Sequence, residues 1–161
     1  MKTVYIETSV VSYLTARPSR DMNSAVKQQI TQEWWNVRRH LFKLFISEVV
    51  EKEAMRGDTE AAARRLASME TLENLDIGDD ELVLAEKIMD GCGLPKSAGD
   101  DALHIAIAAV HGVDYLVTWN CRHIDNAEIK PIIRAICAVN GYICPEICTP
   151  EELMGEWKHE R

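Results

Sequence analysis

Asp101-Ala102-Leu103-His104-Ile105-Ala106-Ile107-Ala108-Ala109-Val110-His111-Gly112 runs, after Val113-Asp114, into Tyr115-Leu116-Val117-Thr118-Trp119-Asn120. The first part reads as an alanine-rich helix, Ala98 to His111, packed tightly on a sheet and stopped by Gly112. The second part reads as a short apolar strand, Tyr115 to Trp119. A buried helix that hands the chain straight to a short apolar strand is one unit of an alternating α/β fold. The same alternation extends in both directions.

Upstream, Val4-Tyr5-Ile6 reads as a short buried strand, followed by polar Glu7-Thr8-Ser9 and an apolar helical turn through Val10, Val11, Tyr13 and Leu14. Arg17-Pro18-Ser19-Arg20-Asp21 is a loop, because proline breaks the helical pattern. Residues 22–40 set Val26, Ile30, Trp34 and Val37 at helical spacing. Phe42 to Ile46 is the second strand, and Ser47 is placed to cap the helix after it. Gly57 ends that helix, and Asp58 caps the next, Thr59 to Met69. A strand near 72–77 precedes Asp79-Asp80-Glu81, acids suited to a helix N-terminus, and Gly91-Cys92-Gly93 stops that helix. Downstream come a helix from about Ala127 to Val139, a strand from Ile143 to Ile147, and a final helical turn at Thr149-Pro150-Glu151-Glu152. No repeat or low-complexity linker interrupts the pattern, so residues 1–161 read as one domain with a parallel sheet covered by helices.

Bulk composition narrows the class. The chain has 161 residues, 47% hydrophobic and 27% charged, the balance of a globular protein. No apolar run reaches the roughly 18–20 residues that span a bilayer. The opening Met1-Lys2-Thr3-Val4-Tyr5-Ile6-Glu7 meets an acid after three apolar residues, unlike a secretory signal, so a cytoplasmic address is expected. Five cysteines make an odd count with no CxxC pair, and Cys144-x3-Cys148 lacks a second Cys/His pair for zinc. Reduced thiols are expected. The net charge of −8 argues against a protein that coats nucleic acid, which would be basic. It leaves room for an acid cluster that works on phosphates through metal ions.

Function in such sheets gathers at the C-terminal ends of strands. Glu7 directly follows the first strand; it is either a neighbour of a helix start capped by Thr8 or Ser9, or a metal ligand oriented by those hydroxyls. Glu53 shares a helix face with Val49 and Val50, where an acid is costly unless it meets an arginine or a metal. In Ser97-Ala98-Gly99-Asp100, Asp100 fits a capping box, whereas Asp101 lies in line with Ile105 and Ala109 and faces inward. His104 is on a neighbouring face, either supporting the site or simply packed. Thr118-Trp119-Asn120 ends the fourth strand, where Asn120 can serve turn chemistry or offer a carbonyl oxygen to a hard cation. The phosphate loop GxxxxGK[ST] and the hydrolase elbow GxSxG are both missing.

These residues, in this order, resemble the PIN-domain family, specifically the VapC-like toxins of toxin–antitoxin pairs. The resemblance spans the chain: Tyr5-Ile6-Glu7-Thr8-Ser9-Val10-Val11, Ile46-Ser47-Glu48-Val49-Val50-x-x-Glu53, the 101–120 stretch, and Ile147-x-Thr149-Pro150-Glu151-Glu152-Leu153. It implies a PIN-like three-layer α/β/α fold whose central, mostly parallel sheet has about five strands. It also implies a metal-dependent endoribonuclease that cuts single-stranded RNA with Mg²⁺ or Mn²⁺. The catalytic and metal-binding set carried over is Glu7, Glu53, Asp101 and Asn120, supported by Thr8, Ser9, Thr118 and His104. Arg17, Arg20, Lys96, Arg122 and His123 are the basic candidates for RNA contact, with solvated surface charge as the alternative. Trp34, Trp35, Trp119 and Trp157 either stack on bases or pack. A small antitoxin protein and a homodimer are the implied partners.

Two positions depart from the family pattern. The first acid is normally aspartate, and Glu7 is one methylene longer; the fourth is normally aspartate, and Asn120 is neutral. Three formal charges hold a cation less tightly than four. The departures admit an alternative, a catalytically weak or inert PIN-like module that binds RNA or protein.

Overall fold

The computed structural model describes residues 1–155. Its strands are β1 (Lys2–Ile6), β2 (Phe42–Ser47), β3 (Glu73–Leu75), β4 (Tyr115–Val117) and β5 (Glu146–Cys148). Its helices are α1 (Thr8–Thr15), α2 (Met22–Val37), α3 (Glu48–Ala54), α4 (Thr59–Met69), α5 (Asp79–Cys92), α6 (Gly99–Val110) and α7 (Lys130–Val139). The strands form one sheet in the order β3-β2-β1-β4-β5, parallel at every pairing. In the register, Tyr5 stands between Phe45 and Leu116. Parallel neighbours need crossovers, and the crossovers here are the helices. Helix α1 packs on α2, α3 and α4, and α5 packs on α6 and α7, giving the two outer layers. The expected three-layer α/β/α fold is thus observed, with every strand parallel.

Burial follows from composition. In β1, Val4, Tyr5 and Ile6 are fully covered, as a central strand between two helix layers requires. Ala102 and the run His104 to Ala109 are buried, small side chains letting α6 lie close on the sheet. Gly112, at φ +66°, closes α6 where the sequence places its stop. No described helix is long and apolar enough to cross a membrane.

Boundaries differ from expectation where local hydrogen bonds compete with helix or ladder. The helix expected over 22–40 ends at Val37, and a 3₁₀ turn, Arg39–Leu41, leads into β2. Helix α7 starts at Lys130, not Ala127, because Asn126 forms a turn: its side chain accepts from the Glu128 N–H at 2.9 Å, and its carbonyl from Lys130 at 2.9 Å. Strand β5 begins at Glu146 instead of Ile143, which stands 87% exposed. Trp34 is fully buried and stacks on Phe42, and Trp119 is buried with its Nε1–H donating to Thr31 Oγ1 at 2.8 Å. Trp35 is half-buried beneath the Arg39 guanidinium, 4.0 Å from its ring centroid. Trp157 lies outside the described residues.

Candidate metal centre

Strand order reverses at β1: β2 and β3 lie on one side, β4 and β5 on the other. The crevice past the C-terminal ends of β1 and β4 is therefore the switch point, where neighbouring loops diverge and leave room for a ligand. Glu7 follows β1 directly, and Thr118 and Asn120 follow β4. The Glu7 N–H donates to the Val117 carbonyl at 3.1 Å, tying these two ends together.

Glu7 is only 4% exposed. It is itself the N-cap of α1, in place of Thr8 or Ser9: its Oε2 accepts the Ser9 N–H at 3.1 Å. Its Oε1 accepts the Thr118 hydroxyl at 2.6 Å and the Ser9 hydroxyl as well. Ser9 in turn accepts the Trp119 N–H at 2.8 Å. Three donors hold the Glu7 side chain in one orientation.

Glu53 comes from α3, on the face it shares with buried Val49 and Val50. Its Oε1 accepts the Thr8 hydroxyl at 2.7 Å and lies 2.5 Å from His104 Nε2. The partner of this inward acid is thus a histidine; among the described residues no arginine forms a salt bridge with it. His104 is fully buried, and its Nδ1 lies 2.7 Å from the Tyr5 hydroxyl, itself 2.7 Å from Ser47 Oγ. Ser47 does stand at the N-cap position of α3, but its hydroxyl serves Tyr5 and makes no cap bond.

Ligand-capable atoms of Glu7, Glu53 and His104 lie within 4.8 Å of one another. Glu7 and Glu53 are thus close enough for one divalent cation to reach both, with His104, bonded to Glu53, supporting them from behind. Asp101 is outside that triplet, three residues before His104 on α6, and its Oδ2 is 2.9 Å from His123 Nδ1. Asn120 Oδ1 accepts the N–H groups of Arg122 at 3.3 Å and His123 at 3.0 Å. Asn120 therefore shapes the turn that carries His123 to Asp101. The structure brings Glu7 and Glu53 together directly, and sets Asp101, Asn120 and His123 in an adjoining corner.

The capping box expected for Asp100 is not formed. A 3₁₀ turn at Lys96–Ala98 moves the helix start to Gly99 without a side-chain cap, and Asp100 pairs with Arg56 at 3.7 Å. Of the basic candidates, Arg17 pairs with Glu60 at 3.1 Å, His123 holds Asp101, and Arg20, Lys96 and Arg122 are exposed. Sequence reading missed Arg56, Tyr5 and Ser47. A tyrosine in the central strand of a covered sheet was the available signal, since its buried hydroxyl requires a partner.

Burial is the largest influence on the Glu53 carboxyl and pushes it upward. The hydrogen bond and charge of His104, the Thr8 hydroxyl and Arg56 outweigh it and hold the group below the ordinary carboxylate value. For His104 burial again acts first and opposes the charge, but the bond to Glu53 and the fields of Glu7, Glu53 and Asp101 raise the imidazole above its ordinary value. A lowered acid stabilises the fold above its unfolded value of 4.5, and that share is lost as pH falls through the folded value. A raised histidine stabilises below 6.5, and that share is lost as pH rises through the folded value. In metal-free protein, the Tm difference between wild type and Glu53→Gln is accordingly expected to be greatest at about pH 5.5 and to shrink on both sides. A flat difference across pH 4–9, measured by calorimetry, contradicts the ion pair.

Residues 4–129 match the family described as PIN domain. Among solved structures the chain is similar to FitAcB from Neisseria gonorrhoeae, with a TM-score of 0.55 and 12% identity over 92% of this chain and 98% of that one. At that identity the likeness is one of fold. No curated protein matches the sequence.

Proposed function

This chain belongs to the PIN-domain family, and we propose that it is a metal-dependent endoribonuclease of the VapC-like toxin kind, cutting single-stranded RNA. The observation that carries the reading is the meeting of Glu7 and Glu53, from separate elements, at the switch point of the sheet. Glu7 is buried and Glu53 half-buried, and carboxylates this close repel; His104 offsets part of that charge and a bound cation would offset the rest. Glu7 and Glu53, with Asp101 from the first turn of α6, are the residues that hold Mg²⁺ or Mn²⁺. When bound, the ion supplies Lewis acidity to the phosphate and lowers the pKa of a water.

The protein's own part is orientation. Ser9 and Thr118 fix Glu7, while Thr8 and His104 fix Glu53. Asn120 and Thr118 complete the polar rim. His123 holds Asp101 in that corner. Exposed Arg20, Lys96 and Arg122, together with Arg17, offset the acidity of the chain along an RNA backbone. In this reading the whole chain is one cytoplasmic domain that works as a homodimer and is held in check by a small antitoxin.

Purified protein with Mn²⁺ and a mixed-sequence single-stranded RNA is expected to give cuts that chelator abolishes. Intact RNA, with a partner protein still bound, selects the inert module instead. That second reading draws on the Asn120 oxygen already accepting two N–H groups and on Asp101 already pairing with His123. Asn120→Asp tests that position by itself. Aspartate keeps the turn and adds a charge beside the cluster, so Mn²⁺ binding measured by calorimetry is expected to tighten about tenfold. Unchanged affinity removes Asn120 from the site.

A further inference from the structure

Four side chains from four elements form one hydrogen-bonded line behind the acids: Ser47 at the end of β2, Tyr5 in β1, His104 in α6 and Glu53 in α3. Its links measure 2.7, 2.7 and 2.5 Å. Ser47, Tyr5 and His104 are each fully buried, so water cannot substitute for a lost link. The His104 Nε2–H donates to the Glu53 carboxylate throughout, while both hydroxyls can turn, so that Tyr5 either donates to Nδ1 and accepts from Ser47 or accepts from Nδ1–H and donates to Ser47. The imidazole stays partnered at both nitrogens in either of its protonation states. The Tyr5 ring also lies against the His104 ring, centroids 5.7 Å apart, which limits how far the imidazole can rotate.

We propose that Tyr5 is a positioning residue for the metal site: anchored by Ser47, it fixes the His104 ring, which fixes the carboxylate of Glu53. This rests on the reading of Glu53 as a metal ligand. Glutamate has three rotatable bonds, and a free carboxylate at a helix surface loses that freedom when it binds an ion. Here the loss is incurred on folding, because Oε1 already takes the His104 and Thr8 donors. Partners of this kind, one bond removed from the ligand, typically alter metal affinity about 10–100-fold.

The test measures Mn²⁺ affinity by electron paramagnetic resonance, which needs no RNA and no turnover. Tyr5→Phe removes one oxygen and keeps the ring, and is expected to weaken Mn²⁺ binding about tenfold. Ser47→Ala, one link further away, is expected to weaken it by a smaller factor, and it carries the test if Tyr5→Phe fails to fold. In a Glu53→Gln background, Tyr5→Phe is expected to have no further effect. A purely structural tyrosine predicts the opposite: the same loss with or without Glu53. That outcome, or wild-type affinity in Tyr5→Phe and Ser47→Ala, overturns the positioning role and leaves the metal site standing. If the wild-type protein binds no Mn²⁺, the ligand reading falls and takes this proposal with it.

Discussion

Asp101→Asn and Glu53→Gln, each made alone, are expected to lower Mn²⁺-dependent RNA cleavage by about a thousandfold or more, with the fold intact. A metal ion contributes several kcal/mol of charge stabilisation to phosphodiester cleavage, and about 4 kcal/mol corresponds to a factor of a thousand. Both substitutions keep shape and remove only charge. The amide oxygen introduced at position 53 can still accept from Thr8 and His104, and the one introduced at position 101 can still accept from His123. Thermal melting of each variant within a few degrees of wild type is therefore expected beside the loss of cutting. A variant that cuts at the wild-type rate removes its residue from the chemistry. Asp101 is the more exacting case, because its carboxylate faces His123 and lies beyond the Glu7–Glu53–His104 triplet.

His104→Ala is expected to destabilise metal-free protein by about 2–3 kcal/mol, a fall in Tm of roughly 5–10 °C. The truncation leaves a cavity, strands the Tyr5 hydroxyl without its imidazole partner, and removes the group that offsets the charge of Glu53. Glu53 keeps partial contact with solvent, its side chain being 19% exposed, so the cost is below that of a fully enclosed pair. Mn²⁺ is expected to widen the loss, since His104 positions Glu53 and wild type, binding the ion more tightly, gains more stability by mass action. Equal losses with and without Mn²⁺, followed by differential scanning calorimetry, indicate that His104 acts through packing alone.

Much of the fold was legible because its signals are local and agree. The run from Asp101 to Gly112 is too alanine-rich and apolar to be anything but a buried helix, and Gly112 stops it at φ +66°. Asp58 capping Thr59 to Met69 was equally plain, and the Asp58 side chain accepts the Ala61 N–H at 2.9 Å. Errors fell where a turn competed with a helix, as at Asn126 and at Lys96–Ala98, because side-chain turns and 3₁₀ segments leave no periodicity to read. At the candidate site, spacing singled out Glu53 as an acid on an apolar face. It could not say what that acid meets. His104 and Asp101 are three residues apart on one helix, yet one turns to Glu53 and the other to His123, a division decided by tertiary contacts. Tyr5 and Ser47 stayed hidden for the same reason: each fits its local element, and their bond joins two strands.

Anomalous diffraction from a crystal soaked in Mn²⁺ tests the central claim most directly. A peak about 2.1–2.4 Å from carboxylate oxygens of Glu7 and Glu53, with Asp101 swung toward it or bridged by water, is the predicted result. An empty crevice at saturating Mn²⁺ contradicts it.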